Sequence, residues 1–79
     1  MVNLDNLAVG DILEIEFRDG FSEKPESMVG YYDYHSPLHV RLRNRSPING
    51  KYPKYLCASF YDCNLEYITK VTILKKSSR

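Results

Sequence analysis

Residues 12–18 read Ile-Leu-Glu-Ile-Glu-Phe-Arg, and this stretch decides the fold class. Leu13, Ile15 and Phe17 alternate with Glu14, Glu16 and Arg18, the period-2 pattern of a β-strand with one buried and one wet face. Asp19-Gly20 then turns the chain. Phe21 to Ser27 is polar and contains Lys24-Pro25, so it reads as an extended loop. A second strand is expected from Met28 to Tyr34, with Gly30 marking a bend or bulge.

The same alternation returns three more times. After Ser36-Pro37, Leu38, Val40 and Leu42 face one way and His39, Arg41 and Arg43 the other. The segment Asn44 to Pro53 holds Pro47, Gly50 and Pro53 and is read as a loop. Leu56, Ala58 and Phe60 restart the pattern as a fourth strand, with Tyr55, Cys57, Ser59 and Tyr61 on its opposite face and Asp62-Cys63-Asn64 as its end. The last strand runs from about Ile68 to Leu74, with Val71 and Ile73 in the core. Residues 75–79 form a frayed tail. Leu4 to Val9, opened by Asn3, is expected to form one helical turn.

These 79 residues make one domain, residues 1–79, near the size at which a single core only just offsets the entropy of ordering the chain. Five short strands bury a core at this length by curling into a small barrel, because a flat sheet leaves one face unprotected. A hydrophobic content of 43% argues against disorder, and no apolar run approaches the ~20 residues that span a bilayer. Met1-Val2-Asn3-Leu4-Asp5 lacks the basic start and apolar segment of a signal peptide. The expectation is a soluble, cytoplasmic protein with no membrane partner.

The layout resembles the Sm-like family, within the broader SH3-like barrels. The stretch ILEIEFRDG followed by MVGYYDYHSPLHVRL is similar to the first Sm motif, and FYDCNLEYI occupies the place of the second. Together they cover most of residues 11–74. Where the family has the Asn that helps hold a nucleobase, this chain has His39; where it has Arg-Gly, the chain has Tyr61-Asp62. The uridine-type pocket therefore does not transfer, and the loop after Gly20 leaves Tudor-like and other SH3-like relatives open. The resemblance implies an all-β, five-stranded barrel and subunits that join through edge strands, here Leu56 to Tyr61 and the final strand.

Charge is sharply divided along the chain. Residues 1–33 hold eight Asp and Glu against Arg18 and Lys24, net −6, while residues 34–79 hold nine Lys and Arg against Asp62 and Glu66, net +7. Between Tyr34 and Tyr61 there is no acidic residue. Arg41, Arg43, Arg45, Lys51 and Lys54 are interleaved there with Tyr52, Tyr55 and Tyr61, and His39 joins the row that alternation places on one face of the third strand. Spacing of ~7 Å along that row suits successive phosphates, and the tyrosines suit stacking on bases. The competing reading is a solvated face paired with Glu14 and Glu16 of the first strand. Asp11, Glu14 and Glu16 themselves read as acids that keep a strand soluble. Tyr31, Tyr32 and Tyr34 serve either as core and rim or as an aromatic patch.

Catalysis and metal binding find no pattern in the sequence. His35 and His39 stand four apart and Cys57 and Cys63 six apart, which matches no zinc spacing, so neither metal nor cofactor is expected. Two cysteines are too few for a disulfide scaffold, and reduced thiols are expected, although a bend that brought them together would permit a bond. There is no phosphate loop, no nucleophile elbow and no paired carboxylates across a cleft. Two functions survive. One is a non-enzymatic module contacting single-stranded nucleic acid or a nucleotide. The other is a protein-interaction module that self-assembles or acts as a small accessory or inhibitory protein, including one of viral or mobile-element origin.

Overall fold

A computed structural model of the chain describes residues 4–18 and 24–77. Strands β1 (Ile12–Phe17), β2 (Glu26–His35), β3 (His39–Arg43), β4 (Phe60–Asn64) and β5 (Ile68–Lys75) form one antiparallel sheet in the order β4-β3-β2-β1-β5. Two short 3-10 turns, Lys54–Leu56 and Leu65–Tyr67, complete the regular structure. The turn expected at Asp19-Gly20 lies outside the described residues. No helix among those described is long and apolar enough to cross a membrane.

The curl of the sheet follows from one connection. β4 and β5 occupy opposite edges, yet only Leu65–Tyr67 separates them. Three 3-10 residues advance the chain ~6 Å. The outer strands of a flat five-stranded sheet would stand ~19 Å apart. The sheet must therefore bend until its edges approach at this end. It is not closed, since β4 and β5 do not pair with each other.

Bending encloses Leu13, Ile15, Val40 and Leu42, all at most 1% exposed, with Tyr32, Cys63, Ile68 and Leu4 around them. Phe17, Val71 and Ile73 pack on this cluster, as the alternation predicts. Gly30 is not a bulge in this arrangement. Its α-carbon faces Leu42 so closely that an added Cβ would lie 3.0 Å from Leu42 Cβ and 3.1 Å from the Arg43 carbonyl oxygen. The irregularity in β2 falls instead between Tyr32 and Tyr34, at Asp33. Gly30→Ala is accordingly expected to destabilise the domain by about 1–3 kcal/mol through overpacking against backbone that cannot yield, read as a lower denaturation midpoint.

Four expectations are corrected. Leu4 to Val9 forms turns rather than a helical turn, while Leu4 itself is buried in the core. Leu38 is 74% exposed because it sits in the β2–β3 turn: Ser36 Oγ accepts from the backbone N–H groups of Leu38 and His39, and β3 begins only at His39. The fourth strand starts at Phe60 rather than Leu56, because Lys54–Leu56 coils into a 3-10 turn that Cys57 ends in the left-handed conformation (φ 53°). Phe60 consequently faces outward at 48% exposure, and Cys63 fills the inward place.

Candidate binding face

The outward side of β2, β3 and β4 is set by register. Tyr34 opposes Arg41, Arg41 opposes Asp62, and Arg43 opposes Phe60. These side chains form a continuous stack. The Arg41 guanidinium lies 3.8 Å from the centroid of Phe60 and 5.0 Å from that of Tyr34; Arg43 lies 5.0 Å from both Phe60 and Tyr52. His39 meets Tyr34 edge-on at 5.8 Å.

Both arginines are held by carboxylates, but not by those of β1. Arg41 donates through Nε and Nη2 to the two oxygens of Asp62, at 2.8 and 3.0 Å. That fork fixes the position of the guanidinium over the Phe60 ring. The Arg41 hydrogen bond is the main reason the Asp62 carboxyl is held below its ordinary range, and Asp62 in turn raises the Arg41 guanidinium. Arg43 donates to Asp33 at 2.9 Å and to the Ala58 carbonyl at 2.8 Å. The irregularity of β2 at Asp33 is what brings this carboxylate to Arg43. Glu14 and Glu16 lie two strands away, in register with Thr72 and Lys70 of β5. In place of the competing reading's pairing with Glu14 and Glu16 of β1, the arginine row pairs with β2 and β4.

The other cations behave differently. Arg45, Lys51 and Lys54 are exposed on the segment after β3, and none forms an ion pair among the described residues. Arg45 is tied only weakly, through a 3.4 Å contact to the Leu56 carbonyl. Tyr52 anchors this segment, donating its hydroxyl to the Arg45 carbonyl at 2.8 Å while its ring lies under Arg43. Tyr55 is 77% exposed beside Lys54. Tyr61 opposes Leu42, so alternation puts it on the other side of the sheet from Phe60. Of the residues singled out in the sequence, His39, Arg41, Arg43 and Tyr52 are brought together; Arg45, Lys51, Lys54 and Tyr55 lie on the connection that carries Tyr52; Tyr61 stands apart.

Three contributors were not among the sequence candidates: Phe60, Asp62 and Asp33. Their signal lay in the alternation Phe60-Tyr61-Asp62-Cys63, which sets Phe60 and Asp62 on one face once Cys63 is taken as the buried residue. Among the described residues no three of His, Cys, Asp and Glu converge as a metal would require. Both thiols are free; Cys57 is exposed, whereas Cys63 is buried and its thiol is pushed up by that burial.

Burial of Tyr52, and after it the charge of Asp33, pushes its phenol up to about 12. The folded protein keeps this proton where an unfolded chain, with a phenol near ~10, has lost it. The resulting stabilisation is complete below about pH 10 and is lost as pH rises toward about 12. A tyrosinate absorbance titration should show one phenol ionising last, and Tyr52→Phe should remove that step and flatten the alkaline loss of stability.

Comparison with protein-family models, with curated proteins and with solved structures finds no match to this chain.

Proposed function

We propose that this protein is a non-enzymatic module that binds single-stranded nucleic acid across the outward face of β2, β3 and β4. The observation that carries the reading is the arginine–aromatic stack, followed along the chain by three exposed cations, Arg45, Lys51 and Lys54, that form no ion pair among the described residues. Phe60 and Tyr34 offer half-exposed rings on which bases can stack. Arg41 and Arg43 extend that stacking surface, because their charge is already balanced by Asp62 and Asp33. Phosphate neutralisation falls to Arg45, Lys51 and Lys54. The curled sheet and the three-residue passage from β4 to β5 support a half-open Sm-like or SH3-like barrel as the scaffold.

The division of labour is testable. Changing Arg41 and Arg43 to Glu would set like charges against Asp62 and Asp33 and disturb the fold, so it does not isolate binding. The informative variant is Arg45→Gln with Lys51→Gln and Lys54→Gln. With a fluorescent homopolymer, three lost phosphate contacts should reduce the slope of log affinity against log salt by about 2. Tyr55→Ala and Phe60→Ala should each weaken binding by roughly 1–3 kcal/mol without that change in slope. An unchanged slope in the triple variant would refute the reading.

A second reading, self-association, is favoured by the outer sides of β4 and β5, which pair with no further strand among the described residues and where Phe60, Tyr61 and Leu74 are exposed. Mass in solution with and without nucleic acid separates the two: assembly that needs no ligand supports this one.

A further inference from the structure

Lys75 ends β5, the edge strand opposite β4, and Lys76 follows it. Lys75 and Lys76 line an open groove of about 440 Å³ together with Tyr31, Ser46, Asn49 and Gly50. Segments remote in sequence meet here, and each is held by its own device. The C-terminal segment is fixed by Asp11, which is fully buried: its Oδ1 accepts from the Ser77 N–H at 2.7 Å and its Oδ2 from the Ala8 N–H at 2.9 Å. Gly10 allows Pro47 to close in. A Cβ at Gly10 would stand 3.0 Å from Pro47 Cγ and 3.1 Å from Ser77 Oγ, and its φ of +96° suits glycine alone.

The facing wall is a tight turn. Ile48 and Lys51 exchange both backbone hydrogen bonds, at 2.9 and 3.0 Å, around Asn49 (φ 51°) and Gly50 (φ 75°). The N–H groups of Asn49 and Gly50 are outside that exchange and have no acceptor among the described residues. Neither Lys75 nor Lys76 forms an ion pair among those residues, and no carboxylate lines the groove. Lys75, Lys76, Ser46 and the Asn49–Gly50 turn thus line one space, with Tyr31 beside them. A dianionic phosphate monoester has three terminal oxygens that each need such donors.

We infer that this groove binds a terminal phosphate monoester, its oxygens on Lys75, Lys76 and the Asn49–Gly50 turn and its organic part against Tyr31. Free nucleotides and the phosphorylated end of a strand share that chemistry. The inference uses none of Arg45, Lys51 or Lys54, so it stands or falls apart from the aromatic face.

The test is an NMR titration of the full chain with a nucleoside 5′-monophosphate, the matching nucleoside, and one oligonucleotide carrying either a 5′-phosphate or a 5′-hydroxyl. Amide signals of Asn49, Gly50, Lys76 and Ser77 should shift saturably with a phosphorylated probe and stay in place with its unphosphorylated partner. Saturation by the monophosphate alone identifies a free nucleotide as the source, and saturation by the phosphorylated oligonucleotide alone a strand end. Lys75→Gln with Lys76→Gln should weaken binding by about tenfold or more, equal to at least ~1.4 kcal/mol, whereas Lys70→Gln, an exposed β5 lysine opposite Glu16, should leave these shifts intact. Linear shifts that never saturate, equal response to the hydroxyl oligonucleotide, or wild-type affinity in the Lys75/Lys76 variant would each overturn the assignment.

Discussion

Leu42→Ala is expected to lower stability by about 2–5 kcal/mol, the range for truncating a buried leucine whose cavity cannot collapse. Leu42 is 1% exposed, and the Gly30 backbone presses directly on it. Main chain cannot move into the vacated space as a side chain would, so the upper part of that range applies. At roughly 0.05–0.15 kcal/mol of stability per residue, so short a chain can lose most of its folded population. Leu38→Ala should by contrast change stability by no more than about 0.5 kcal/mol, because that side chain is 74% exposed in a turn. Chemical denaturation of both variants checks the register: equal losses would mean that Leu38, as alternation alone has it, faces the core.

The second large effect is expected at Asp11→Ala. Removing the carboxylate leaves the partly buried Ala8 and Ser77 N–H groups without this acceptor, each at a cost of about 1 kcal/mol, the lower end of the range for an orphaned buried donor. Asp11→Asn should fall between, since an amide keeps one accepting oxygen but turns a donor toward one of the two N–H groups. The loss should also be local. Hydrogen exchange at Ser77 is expected to accelerate more than exchange at Leu13 or Val40, because the tie to the C-terminal segment breaks while the sheet persists. Uniform acceleration at all three sites would show that Asp11 supports the whole core and not this junction alone.

These two residues also mark how far the sequence could be read. β1, β3 and β5 follow from alternation because their inward and outward sets differ plainly in polarity, as Leu13 and Ile15 do from Glu14 and Glu16. β4 does not, because aromatic and apolar residues occupy both of its faces. Period 2 places Phe60 opposite Tyr61 but cannot say which side is wet. What decides it is Arg41, whose guanidinium covers the Phe60 ring and makes an outward phenylalanine tolerable. In the sequence Asp11 looks like Glu14 and Glu16, a solubilising acid; its burial depends on N–H groups three and sixty-six residues away, which no local pattern contains. The basic residues are legible as a group, but their division into Arg41 and Arg43, balanced by carboxylates, and Arg45, Lys51 and Lys54, which form no ion pair among the described residues, required the register of β3 against β2 and β4.

The passage from β4 to β5 has a consequence for how the chain reaches this state. β5 pairs with β1, so Leu13 meets Ile73, sixty residues further along the chain. Hairpins β1–β2 and β2–β3 can form early from near neighbours, yet they leave Leu13 and Ile15 covered on one flank only. Docking of β5 is therefore the late, non-local step, and such sheets fold in milliseconds to seconds rather than microseconds. Until it occurs, β1 is an open apolar edge able to recruit a strand from another chain. A nascent chain halted before Ile68 would be held at that exposed stage, its interior half built and adhesive.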